Sequence, residues 1–153
     1  MGPITTEVKE FVNRVKLGFA ATVSPDGTPN LSPKGTTLAW DDQRLVFADI
    51  HSPRTVSNLL VNPSIEINVV DIFTRKGFRF KGIATVHKEG EFYESVVKHY
   101  RSAGSLYQIN HIVSIKVEEL ISVWSPAYDN NLTEEEIKKR WIEYWSDIYS
   151  ISR

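Results

Sequence analysis

Gly18-Phe19-Ala20-Ala21-Thr22-Val23-Ser24-Pro25-Asp26-Gly27-Thr28-Pro29 is the stretch whose reading decides the fold class. Phe19 to Val23 suits a strand, and Ser24-Pro25-Asp26-Gly27 then turns the chain, proline presetting φ and glycine supplying a positive φ. A strand that reverses within so few residues pairs antiparallel, because parallel neighbours need a crossover of about a dozen residues or more.

The same rhythm runs outward along the chain. Thr28 to Trp40 is extended but broken by Pro29 and Pro33, neither of which can donate to a ladder. That predicts an edge or bulged segment before Thr36 to Trp40 settles into a strand. Asp41-Asp42-Gln43 makes a turn, and Arg44 to Asp49 returns. Ile65, Ile67 and Val69 alternate with Glu66 and Asn68, the pattern of a half-buried strand. Phe78 to His87 follows, with Gly82 as a bulge or close-approach point. His111 to Val117 and Leu120 to Trp124 finish the sheet. The chain is therefore mainly β with peripheral helices: a six- to seven-stranded antiparallel sheet, curled into a split barrel that hides its edges.

Four helices decorate this sheet. Thr6 to Lys16 sets Val8, Phe11, Val12 and Val15 on one face, with Thr5 or Thr6 as cap and Gly18 as the left-handed residue beyond its end. A short helix between the fourth and fifth strands opens at Ser52-Pro53-Arg54-Thr55. Serine suits its N-cap and proline its first position, with Val56, Leu59 and Leu60 as the buried stripe and Asn62-Pro63 as the stop. Glu91 to Arg101 offers Phe92, Tyr93, Val96, Val97 and Tyr100 for packing. In the C-terminal tail, about 133–149, Thr133 and Glu136 form a capping box. Ile137, Trp141, Tyr144, Trp145 and Ile148 then make a stripe that must cover either its own barrel or a partner. Residues 1–153 read as one domain.

Composition removes several function classes. A net charge of −1 gives no field that attracts nucleic acid or an anionic membrane. The absence of cysteine excludes disulfides, thiolate chemistry and cysteine-held metal clusters. No apolar run approaches the ~20 residues of a membrane helix, and no secretory layout opens the chain, so a cytoplasmic setting is expected. Met1-Gly2-Pro3-Ile4-Thr5-Thr6 fits the loose myristoylation pattern without the polybasic patch that stable anchoring needs. Asn131-Leu132-Thr133 is a glycosylation sequon expected to stay unmodified. His51, His87, His99 and His111 lack metal-ligand spacing, so no metal site is expected. No nucleophile elbow, Gly-x-Gly-x-x-Gly motif or Walker loop is present. Arg75-Lys76-Gly77-Phe78-Arg79-Phe80-Lys81 interleaves basic and aromatic residues, which a nucleic-acid surface shows, but so does any strand with one basic and one apolar face.

Two segments can carry binding chemistry. At His51-Ser52-Pro53-Arg54-Thr55, free N–H groups and the positive end of a helix dipole meet hydroxyls and a guanidinium, a set that suits phosphate. A plain capped helix with a solvated arginine accounts for the same residues. At Asn30-Leu31-Ser32-Pro33-Lys34-Gly35-Thr36-Thr37, unpaired backbone groups can meet the edge of a planar heterocycle, and Lys34 can add charge. A bulged hairpin with a solvated lysine is the alternative.

In their order and spacing, these segments resemble the pyridoxamine-5′-phosphate-oxidase-like FMN-binding split-barrel family, from Gly18 to about Val123. The likeness rests on Gly18–Val23 with its turn, on Ser32-Pro33-Lys34-Gly35, on Leu45-Val46-Phe47-Ala48-Asp49, on Ser52-Pro53-Arg54-Thr55 with Asn58-Leu59 and Asn62-Pro63, and on Phe78 to Val86. The resemblance implies FMN as cofactor, its phosphate at Arg54 and Thr55 with Ser52 nearby. It implies that Ser32, Pro33, Lys34, Gly35, Thr36 and Thr37 line the ring and ribityl chain, with Ala48 and Asp49 beside the latter. Lys76 and Arg79 bracket a further flavin contact, and the fold implies a homodimer whose second chain completes each site. Trp124 is the expected aromatic reaching the partner's flavin. The family often has two adjacent basic residues at the helix start, whereas here Thr55 follows Arg54, so either one phosphate charge contact is missing or Lys34 supplies it. The carboxy-terminal arginine and histidine by which true pyridoxamine-phosphate oxidases hold their substrate are not recognisable, which argues against vitamin B6 oxidation. The expected function is an FMN-dependent oxidoreductase acting with a small-molecule electron donor or acceptor. A non-catalytic flavin carrier or redox sensor, or the same fold holding deazaflavin F420 or haem, is the alternative. No side chain stands out in the sequence as an obligatory acid or base.

Overall fold

A computed structural model describes residues 1–152; Arg153, the last residue of the expected domain, lies outside the described residues. The elements in chain order are α1 (Thr6–Val15), β1 (Gly18–Val23), β2 (Pro29–Lys34), β3 (Leu38–Ala39), β4 (Arg44–Asp49), α2 (Pro53–Val61), β5 (Ser64–Asp71), β6 (Lys76–His87), α3 (Glu91–Ser102), β7 (His111–Trp124) and α4 (Glu134–Tyr149). A single 3-10 turn, Pro126–Asn130, joins β7 to α4.

The seven strands form one sheet in the order β2-β1-β5-β6-β7-β4-β3, every pairing antiparallel. Its two edge strands, β2 and β3, are consecutive in the chain and joined only by residues 35–37. In a flat sheet they would stand roughly 29 Å apart at about 4.8 Å per strand. The link reaches about 14 Å at most. The sheet therefore curls almost closed, and this is the split barrel.

Phe47, Phe80, Leu45, Ile65, Ile67, Val113 and Ile115 fill its interior, and Ile4, Val8 and Val12 bring α1 against them. Alternate residues of β4, Val46 and Ala48, point the other way and pack with Val96 and Tyr100 of α3. Strand β4 is thus buried on both faces, which fixes the position of Asp49 at its end.

Several sequence expectations need correction. The left-handed residue after α1 is Lys16, at φ 62°, not Gly18. Gly18 instead opens β1, where a Cβ would sit 2.7 Å from the Thr37 hydroxyl. The strand expected over Thr36 to Trp40 shrinks to Leu38–Ala39, because residues 35–37 serve as the tight link between the sheet edges. The two strands expected after His111 are one 14-residue strand. Register shifts at Lys81/Gly82, where Gly82 pairs with Val117 and Lys81 with Glu119, so Glu118 is the extra residue of a bulge. A bulge keeps the ladder running through the polar Glu118-Glu119 pair that reads in sequence as a break. Leu60 is exposed rather than buried: Thr55, Val56, Asn58 and Leu59 take the inner face of α2, and Leu60 lies about 100° further round.

Candidate functional site

The start of α2 is built by three strands. β4 ends at Asp49, whose Oδ1 accepts from the Ser52 backbone N–H at 2.8 Å and so bends the chain into the helix. β7 begins at His111, paired with Asp49 in the sheet, and its Nδ1 lies 2.8 Å from Asp49 Oδ2. The carboxylate can only accept here, so Nδ1–H is the donor and Nε2 remains for other partners. β2 ends at Lys34, only 3% exposed, and its Nζ donates to Ser52 Oγ at 2.7 Å and to Ser32 Oγ at 2.8 Å. The Phe47 ring lies 5.6 Å from the same ammonium. Burial pushes the Lys34 ammonium below the ordinary lysine range, and the charge of Asp49 opposes that shift.

Ser52 occupies the N-cap position but makes no side-chain capping bond; its hydroxyl is turned to Lys34. The capping role expected of Ser52 is therefore not performed. Among the described residues no other side chain caps α2, so the N–H groups of Arg54 and Thr55 stay open at the positive end of the helix. Arg54 is exposed and Thr55 is buried. A hollow of about 430 Å³ lies against this turn, lined by Asp49, His51, Ser52, Val56, Leu60 and His111 among others.

The link between the sheet edges is held from three sides. Thr36 Oγ1 accepts from the Ala48 N–H at 2.9 Å, the Tyr100 hydroxyl donates to the Thr36 carbonyl, and Thr37 Oγ1 donates to the Lys34 carbonyl at 2.8 Å. Gly35 and Pro33 are exposed, and Ala48 is buried in the α3 packing layer. Ser32, Lys34, Asp49, Ser52, Arg54 and Thr55 thus converge around one helix start.

Lys76, Arg79 and Trp124 are elsewhere. Lys76 opens β6 and pairs with Trp124 at the far end of β7, while His111 of the helix-start cluster begins that strand. The two ends of β7 are separated by roughly 40 Å along the strand. One chain does not bring these residues together with the helix start. Arg79 and Lys81 are exposed while Phe80 is buried, the ordinary two-faced alternation of a strand.

Sequence reasoning missed His111 and the clamping role of Asp49. Their partnership spans 62 positions and depends on the β4–β7 register, which no local motif carries.

The chain matches the pyridoxamine 5′-phosphate oxidase family model over residues 4–123. No curated protein matches its sequence. Among solved structures, HupZ of Group A Streptococcus is 32% identical, with a TM-score of 0.71 over 80% of this chain and 95% of that one. An FMN-binding protein from Syntrophomonas wolfei, 14% identical, gives a TM-score of 0.67 over 77% of this chain and 84% of its own. An F420 reductase, 18% identical, gives 0.60 over 77% of this chain and 98% of its own. The last two share the fold. With the family model covering most of the chain and the same curled antiparallel sheet, the chain belongs to the pyridoxamine 5′-phosphate oxidase family.

Proposed function

We propose that the chain binds FMN with its phosphate at the start of α2, and that it works as an FMN-dependent oxidoreductase. The carrying observation is the buried Lys34 ammonium, 2.7 Å from Ser52 at a helix start left uncapped. The residues fit the group: open N–H groups of Arg54 and Thr55, hydroxyls of Ser32 and Ser52, and two cations, Lys34 and the exposed Arg54. Lys34 takes the place of the second adjacent basic residue that is missing after Arg54. Bound there, FMN supplies hydride or electron transfer. The protein's own part is to hold the phosphate through these groups and to fix the 35–37 link beside it through Thr36, Thr37 and Tyr100.

This reading includes a homodimer, in which Lys76, Arg79 and Trp124 of one chain meet the flavin of the other. The separation of the two residue sets along β7 supports it, since a single chain cannot place both at one ring. A cytoplasmic setting belongs to the same reading; among the described residues no helix is long and apolar enough to cross a membrane.

The visible spectrum of purified protein, with fluorescence titration by FMN, tests the proposal. A flavin spectrum with saturable quenching supports it; colourless protein that leaves FMN fluorescence unchanged overturns it. A deazaflavin or Soret band assigns the fold to F420 or haem instead. Turnover with a nicotinamide donor distinguishes an enzyme from a flavin carrier or sensor.

A further inference from the structure

The chain beyond residue 123, where the family match ends, grips one short turn of the barrel. That turn, residues 72–75, joins β5 to β6 and leads straight into Lys76. The Tyr128 hydroxyl donates to the Thr74 carbonyl at 2.6 Å, and the Ser125 backbone N–H donates to the Arg75 carbonyl at 2.9 Å. The Arg75 guanidinium lies 3.4 Å from the centre of the Trp141 ring. The Lys76 ammonium sits 4.5 Å from the Tyr128 ring and 3.9 Å from Glu134. Three consecutive residues, 74 to 76, are thus held by the tail.

This turn needs holding. Asp71 starts it by accepting from the Phe73 and Thr74 N–H groups, but Arg75 must take a left-handed conformation, φ 57°, before the chain enters β6. A residue with a Cβ adopts that conformation at a cost, which surrounding contacts have to offset. Arg75 Nε is buried and meets no acceptor among the described residues, so the stack on Trp141 is what fixes the guanidinium. Helix α4 can present that ring because its capping box fixes where it starts and Ile137, one turn before Trp141, is buried.

We propose that the tail is a positioning element for Lys76: Trp141, acting through Arg75, sets the backbone from which the ammonium projects, while Tyr128 and Glu134 set its direction. The target rests on the flavin reading, in which Lys76 of one chain reaches the flavin of the other. An ammonium fixed at a flavin favours the reduced form, which carries more negative charge. A lysine free to swing into water loses that effect to solvent screening.

The full chain is titrated with FMN, and its midpoint potential is measured, for the unaltered sequence, Lys76→Met, Trp141→Ala, the double variant and Trp141→Phe. Lys76→Met should weaken FMN by about threefold or more and move the potential to more negative values. Trp141→Ala should change both in the same direction. The double variant should be no worse than Lys76→Met alone, because Trp141 acts through Lys76. Trp141→Phe keeps a ring face under Arg75 and should restore most of the loss. Lys139→Ala, exposed on the same helix, should change neither quantity. An unaltered potential in either single variant overturns the proposal, and so do losses that add in the double variant, since those read Trp141 as a structural residue only. The Lys76 side chain is 43% exposed, so the Lys76→Met result does not depend on the folding of Trp141→Ala. FMN uptake that Lys76→Met leaves untouched removes this role and keeps the flavin reading; a chain that takes up no FMN removes both.

Discussion

Lys34 Nζ lies 2.7 Å from Ser52 Oγ, so the edge strand β2 delivers a buried ammonium to the first turn of α2. A serine that would otherwise cap the helix is held by a cation instead, and the open N–H groups point at whatever that cation attracts. Lys34→Met removes the charge and keeps the stem. FMN affinity should fall at least about tenfold, since a charge-assisted hydrogen bond carries about 1.5–3 kcal/mol. The melting temperature should hold or rise, because burial already disfavours the Lys34 ammonium and no carboxylate among the described residues is paired directly with it. Fluorescence titration and a thermal melt check the two halves; a lower affinity matched by a collapsed melt points to misfolding instead.

Burial holds the Lys34 pKa below its ordinary value of 10.5, mainly through desolvation. Between the folded and unfolded values the unfolded chain binds more protons, so stability from this group rises with pH across that window. Phosphate binding needs the charged form, so FMN affinity should fall with rising pH, starting below the range of a free lysine. The two slopes are opposite in sign. FMN titrations and melts at a series of alkaline pH values measure both, and Lys34→Met should flatten both in that window.

The helix start was legible because Ser52-Pro53 is a local signal, and the strand-turn rhythm was legible because side-chain alternation and turn chemistry are local too. What Ser52 does was not, because its partner is Lys34, 18 positions earlier, brought in by curling of the sheet. The bulge at Glu118 hid the continuity of β7, and Asn58 hid the facing of α2. Asn58 is buried and donates to Thr22 Oγ1 at 3.0 Å, so a polar residue takes an inner place that the sequence pattern gave to Leu60. The division of the expected site between the ends of β7 follows from register, which sequence does not carry.

Asp49 is a buried carboxylate that serves two donors, the Ser52 N–H and His111 Nδ1. Asp49→Asn can satisfy the first but turns an amide towards the second, so His111 must change tautomer or lose its partner. The substitution should cost about 1–3 kcal/mol and loosen the turn into α2. Thermal melts give the first, and weaker FMN binding gives the second. His111→Gln should cost less, because the His111 side chain is about one-quarter solvent-exposed.

Gly82 sits at the bulge, where a Cβ would lie 2.1 Å from the Lys116 carbonyl oxygen. The obstacle is backbone in the middle of the longest ladder, and it cannot swing away. Gly82→Ala should therefore destabilise by more than about 2 kcal/mol. Gly27→Ala, at a turn with open space around it but φ 82°, isolates the cost of conformation alone, about 1 kcal/mol. Urea unfolding of the two variants should rank them in that order.

The aromatic stripe of α4 divides into a docked half and a free half. Ile137 is 2% exposed, and the Trp141 ring lies 3.4 Å under the Arg75 guanidinium at the turn between β5 and β6, while Tyr144 and Ile148 are about half exposed. The first part of the helix therefore rests on its own barrel, at the turn that carries Arg75. Ile137→Ala should cost about 2–5 kcal/mol, and Trp141→Ala about 2 kcal/mol through the lost stack and partial burial. Tyr144→Ala and Ile148→Ala should leave the melt of the isolated chain within about 0.5 kcal/mol. An Ile137→Ala melt equal to that of the unaltered chain would mean that α4 does not pack on its own barrel.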